Sequence, residues 1–166
     1  MENKQKILIV YYSLSGNTKF IAKAINEVID ADMEELKPEK ELKVGKASTY
    51  FWGGAQVYMK KRPKLKSLKH ELSNYDLIFI GTPVWAWNYS PPIRSYLYDL
   101  DLIGKKFAIW TSAGGPTEKA IKRLKARLEK AGAEVVGQIR FIEPLKNNTD
   151  EMKIKAQEWA SSVKII

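Results

Sequence analysis

The sequence predicts an α/β protein, a doubly wound parallel sheet with helices on both faces. Three observations carry this expectation. Short, uninterrupted apolar runs recur along the chain, too short for buried helices and suited to strands covered on both sides. Segments with one-face helical spacing alternate with them. Three loops of unusual composition (13–18, 82–90 and 112–116) each follow such a run. In sheets of this kind the ligand sits beyond the C-terminal ends of the strands, where strand order reverses. All three loops are therefore expected at one edge, around one site.

At 166 residues and 45% apolar content the chain reads as a single domain, 1–166, with a core of its own. Cysteine is absent, which excludes disulfides, thiolate metal sites and cysteine nucleophiles. No run approaches the ~18 apolar residues of a membrane span. The polar start, Met1 to Lys6, leads straight into a strand, so no signal peptide is expected and a cytoplasmic location is. The net charge of +9 permits attraction to acidic partners, nucleic acid or anionic membrane. No recognition element accompanies it, so nucleic-acid binding is not expected. The dense patch from Lys60 to Lys66 reads first as a solvated face beside a turn.

In chain order, residues 5–11 form the first buried strand. From Thr18 the positions Phe20, Ile21, Ala24, Ile25, Val28 and Ile29 repeat on one helical face, and the helix should end near Asp30. Met33 to Leu36 is a weaker strand, and Glu39 to Lys46 a charged surface loop. Residues 48–62 are rich in aromatics. Ser48 could cap a short helix there, weakened by Gly53-Gly54, and packing on the core edge is favoured over contact with a ligand. Asp76 to Gly81 is a second buried strand ending on a glycine, and the loop after it carries Trp85, Trp87 and Tyr89. Pro91-Pro92 suit the first turn of a helix through Tyr98. Lys106 to Thr111 is a third buried strand, leading into Ser112-Ala113-Gly114-Gly115-Pro116. Thr117 can cap a helix with the apolar face Ala120, Ile121, Leu124, Leu128 and Ala131. Glu134 to Ile142 is another strand, and Asn148 with Glu151 resembles a capping box for a last helix bearing Ile154, Trp159 and Val163. The lone His70 is most simply a surface residue.

The stretch Ser13-Leu14-Ser15-Gly16-Asn17-Thr18 is the chemical centre of this plan. Strand, tight polar turn and helix N-terminus make an anion trap, because the first helical amides lack partners and the macrodipole adds positive charge. Three hydroxyls can donate, and Gly16 lets the backbone wrap closely. There is no Gly-Lys-Ser/Thr as in triphosphate loops and no G-x-G-x-x-G for a pyrophosphate. A terminal phosphate monoester suits such a cup; an ordinary capped turn is the alternative. With aromatic walls in the second loop and flexible backbone in the third, the edge describes a site for a flat aromatic ring with a phosphate tail.

These residues resemble a flavodoxin. Ser13-x-Ser15-Gly16-Asn17-Thr18 matches the family's T/S-x-T/S-G-N-T phosphate loop. Gly81-Thr82-Pro83-Val84-Trp85 is similar to its second loop, and Thr111-Ser112-Ala113-Gly114-Gly115 to its third. The resemblance implies a five-stranded parallel sheet in the order 2-1-3-4-5, one noncovalent FMN, and one-electron traffic between a donor reductase and an acceptor protein. It places Ser13, Ser15, Gly16, Asn17 and Thr18 on the FMN phosphate. Trp85 would pack on the isoalloxazine, with Thr82, Pro83, Ala86, Trp87 and Asn88 lining ring and ribityl, and which tryptophan stacks stays open. Ser112, Ala113 and Gly114 would approach the pyrimidine side. Leu14, Val84 and Gly115, inside these stretches, complete the expected cofactor-binding set.

The chain departs from the family in being basic where flavodoxins are acidic, in Pro83 and Ala86-Trp87 of the second loop, and in a third loop without the usual aspartate and covering tyrosine. Residues 50–58 could supply a substitute cover. The competing reading is an enzyme, an FMN-dependent NAD(P)H or quinone oxidoreductase on the same fold, with Lys60, Lys61 and Arg62 as candidates for a 2′-phosphate. A response-regulator-like signalling domain would need aspartates at the strand ends, where this chain has Tyr11-Tyr12-Ser13.

Overall fold

The computed structural model describes residues 4–41 and 62–163. The expectations for 42–61, the aromatic stretch and Lys60-Lys61 among them, lie outside the described residues. The elements follow as β1 (Ile7–Tyr11), α1 (Asn17–Asn26), β2 (Asp32–Glu35), a 3-10 turn (Leu72–Asn74), β3 (Leu77–Trp85), β4 (Asn88–Tyr89), α2 (Pro91–Tyr98), β5 (Lys106–Ala113), α3 (Glu118–Lys130), β6 (Glu134–Ile142) and α4 (Thr149–Ser162). Five strands pair in parallel in the order β2-β1-β3-β5-β6, and β4 folds back antiparallel on the end of β3. Without β4 this is the expected 2-1-3-4-5.

Strand alternation sorts the core into two layers. Leu8, Val10 and Tyr12, with Ile78, Ile80, Phe107 and Ile109, pack against Ile93 and Leu97 of α2 and Ile121, Leu124 and Leu128 of α3. Ile9 and Tyr11, with Leu77, Phe79, Ala108 and Trp110, pack against Ile21 and Ile25 of α1 and Ala156 and Ala160 of α4. The helices thus cover both faces, as a buried parallel sheet requires.

Several boundaries differ from the sequence reading. Helix α1 stops at Asn26 rather than near Asp30; its end tightens through an i→i+3 bond from the Val28 amide to the Ile25 carbonyl, and Val28 is exposed. β3 and β5 run past Gly81 and Thr111, because Thr82 pairs with Thr111 and Pro83 with Ser112 in the parallel ladder. Thr82 to Trp85 and Ser112-Ala113 are therefore strand, not loop. In α4, Ile154 is exposed and the small Ala156 and Ala160 are buried, while Trp159 meets Phe79 edge to face at 5.5 Å. Thr117 stands at the N-cap of α3 without a side-chain cap bond. The Asn148–Glu151 cap does form, with Asn148 Oδ1 accepting the Glu151 amide at 3.4 Å and Nδ2 donating to Glu151 Oε2 at 2.7 Å.

The edge strand β2 is tied down by carboxylates. Buried Glu34 accepts the amides of Lys69 and His70 through Oε2 at 2.8 and 2.9 Å, so its charge is met by backbone donors. The Tyr75 hydroxyl donates to Asp32 at 2.7 Å, and half-buried His70 places Nδ1 2.9 Å from that hydroxyl, so His70 is less of a surface residue than expected. Burial, and after it the hydrogen bond to Asp32, pushes the Tyr75 phenol up to about 12; burial followed by the charge of Glu35 does the same for Tyr11. A raised folded-state value means stability that is complete below the unfolded value of ~10 and falls as pH rises toward 12. Alkaline titration followed by tyrosinate absorbance should show these two groups lagging the exposed tyrosines, with melting temperature falling across the same window. Titration of all tyrosines at the ordinary value in folded protein would contradict it.

Candidate functional site

The chain emerges from β1 at buried Tyr12 and turns through 13–16 into α1. The N-cap of α1 is Gly16, at φ +95°, which has no side chain to make a cap bond. A helix that starts at Asn17 leaves the amides of Gly16, Asn17, Thr18 and Lys19 without intrahelical acceptors. Ser13 Oγ accepts that of Lys19 at 3.2 Å, and the three before it stay available to an anion. Lys19 Nζ is held 3.0 Å from Glu35 Oε2, which turns its charge from the loop toward β2.

Asn17 is committed on both sides of its amide group. Its Nδ2 donates to Ser15 Oγ at 3.1 Å, and its Oδ1 accepts the Leu145 amide at 3.1 Å. It therefore ties the first loop to a fourth one, residues 143–148, which follows β6 and precedes α4. Leu145 Cδ1 reaches the turn as well, 3.3 Å from where a Cβ on Gly16 would stand. Thr18 is almost fully buried in the first turn of α1.

The second loop is a hairpin. Trp85 pairs with Asn88 and Val84 with Tyr89 across a two-residue turn, Ala86-Trp87. Both turn residues have positive φ, +45° and +61°, the geometry of a type I′ hairpin but without its favoured Asn-Gly. Two non-glycine residues in this region store strain of roughly 1–3 kcal/mol each. A helix on the far side holds the tip, since Arg123 Nη1 of α3 donates to the Trp87 carbonyl at 3.1 Å. The hairpin also separates its two tryptophans. Trp85 is buried and packs edge to face on Tyr12 at 5.7 Å, whereas Trp87 is 53% exposed at the tip. Thr82 is fully buried, and its Oγ1 accepts the Ser90 amide at 2.9 Å, so it braces the hairpin base instead of lining an open site.

At the third loop, Thr111 and Ser112 are buried, and among the described residues their hydroxyls have no hydrogen-bond partner. Unsatisfied buried hydroxyls at the strand ends are costly unless a ligand meets them. A Cβ on Gly115 would meet nothing within 4 Å, while Gly114 lies against the Glu143 side chain. The edge thus offers helix N-terminal amides and an exposed indole, features that fit a phosphorylated aromatic cofactor. Among the described residues no His/Cys/Asp/Glu group could hold a metal ion, and no helix is long and apolar enough to cross a membrane.

A doubly wound parallel sheet in this strand order, with its loops gathered at one edge, defines an α/β protein of flavodoxin-like fold. The flavodoxin family profile matches residues 6–139, and the chain belongs to that family. The chain is 26% identical to an uncharacterized protein of Methanocaldococcus jannaschii, over 95% of this chain and 97% of the other. Its fold is similar to that of a flavoprotein in complex with FMN from Lactobacillus acidophilus, at TM-score 0.68 and 28% identity, covering 89% of this chain and 98% of that one. It is similar too to oxidised flavodoxin 2 from Bacillus cereus, at TM-score 0.63 and 24% identity, covering 94% and 95%.

Proposed function

We propose that this protein binds FMN and carries single electrons between a donor reductase and an acceptor protein. The observation that carries the reading is the turn from β1 into α1, which offers three unclaimed amides and the hydroxyls of Ser13 and Ser15 to an anion, with no lysine of a triphosphate loop. The Lactobacillus acidophilus relative with FMN bound supports the choice of cofactor. Bound FMN would supply the one-electron chemistry. The backbone of Ser15, Gly16, Asn17 and Thr18 would hold the phosphate, with the Asn17 side chain keeping the turn closed. Trp87 is the ring free to stack on the flavin, because Trp85 is held in the core against Tyr12. Pro83, Val84, Ala86 and Asn88 frame that wall. The backbone of Ser112, Ala113 and Gly114 would meet the polar edge of the ring.

The test is a visible spectrum of protein titrated with FMN, followed by anaerobic photoreduction. Uptake of FMN and reduction in two separated one-electron steps are expected. Bleaching in a single step by NADPH in steady-state turnover would replace the carrier with an oxidoreductase. Failure to take up FMN would remove both.

A further inference from the structure

We propose that the outward face of the first two turns of α3, Lys119, Lys122 and Arg123 beside Trp87, is the docking surface for an acidic protein partner. The proposal rests on the carrier reading and adds to it the place and the charge of the partner. Helix α3 carries six cations, at 119, 122, 123, 125, 127 and 130, against two carboxylates. Both carboxylates are engaged, Glu118 with Arg140 and Glu129 with Lys125. Arg127 turns inward to the Leu97 carbonyl at 2.9 Å. Lys119, Lys122 and Arg123 are exposed, at i, i+3 and i+4, and so share one face.

That face is placed by two contacts. Helix α3 begins just after the third loop, and Arg123 reaches the carbonyl of Trp87 at the hairpin tip. The basic row therefore runs beside the hairpin tip, whose indole is 53% exposed. The part of the indole that stacking on the flavin would leave open, with this charged rim, has the anatomy of a transient protein interface, an apolar centre inside a polar border. The overall charge of +9 selects a partner with an acidic face, and steers it to this edge from a distance. A nucleic-acid track would need a longer basic run than three side chains beside one ring.

The probe is an acidic [2Fe–2S] ferredoxin, titrated into 15N-labelled, FMN-loaded protein. Perturbation of the amides of Lys119, Lys122 and Arg123 and of the Trp87 indole is expected, fading at high salt. K119E/K122E should weaken the interaction by roughly tenfold or more. K69E/K130E changes the charge equally at exposed sites away from the hairpin, Lys130 being ~10 Å further down the helix than Arg123, and should leave the interaction unchanged. All three proteins should take up FMN alike. If no protein takes up FMN, the carrier reading fails. If FMN binds but the ferredoxin perturbs other residues, or binds K119E/K122E as well as the parent, the surface is overturned and the carrier reading stands. A duplex oligonucleotide or phosphatidylserine vesicles moving the same amides at lower concentration would also overturn it.

Discussion

Replacing Gly16 with valine is expected to weaken FMN binding by roughly a hundredfold, about 3 kcal/mol. At φ +95° this residue occupies backbone space that a β-branched side chain adopts only under strain. The new side chain would also crowd Leu145 Cδ1, already 3.3 Å from the position of its first carbon. Relief comes by rotating the 16–18 backbone, and that rotation turns away the amides that face the anion. Fluorescence titration with FMN measures the affinity, and a melt of the FMN-free protein measures the fold. The expected outcome is a large loss of affinity with a smaller loss of melting temperature. Parent-like affinity in Gly16→Val would remove the turn from the phosphate site.

The parts of the fold that were legible beforehand are those with a local cause. Buried strands β1 and β5 and the first part of β3 announce themselves as apolar runs, and the anion turn is contained in six consecutive residues. What stayed hidden depends on contacts between distant residues. By sequence the hairpin reads as a loop, because Ala86-Trp87 lacks the Asn-Gly that usually marks a type I′ turn. Without the hairpin register, nothing distinguished a buried Trp85 from an exposed Trp87. Gly81 reads as a strand end, yet β3 continues through Thr82 and Pro83, which stay in register with Thr111 and Ser112. Residues 143–148 were read only for a helix cap. They also follow a strand, so the rule that singled out the other three loops applied to them as well. Their role rests on the Asn17–Leu145 bond, between residues 128 apart, which no local pattern encodes. Arg123 likewise sat on a polar helix face with no sign of its target.

The site also depends on the sheet row directly beneath it, and the largest stability effect is expected there. Gly81 pairs with Tyr11 on one side and with Trp110 on the other, a small residue between two large ones. Trp110 is fully buried, and its indole lies across Gly81. A Cβ at 81 would overlap Cζ2 and Cε2 of that ring and stand 2.7 Å from Cδ2. The ring has nowhere to retreat, since α1 and α4 close this face of the sheet. Gly81→Ala, one added carbon, is therefore expected at the upper end of overpacking costs, about 3 kcal/mol, which lowers the melting temperature by roughly 6–12 °C. A double-mutant cycle assigns the cause. Trp110→Leu is costly by itself, but the ring is then gone, and adding Gly81→Ala should cost far less than it does in the parent, with a coupling of ~1–3 kcal/mol. Additive losses in Gly81→Ala/Trp110→Leu would mean that backbone freedom at Gly81, rather than the indole, sets its requirement.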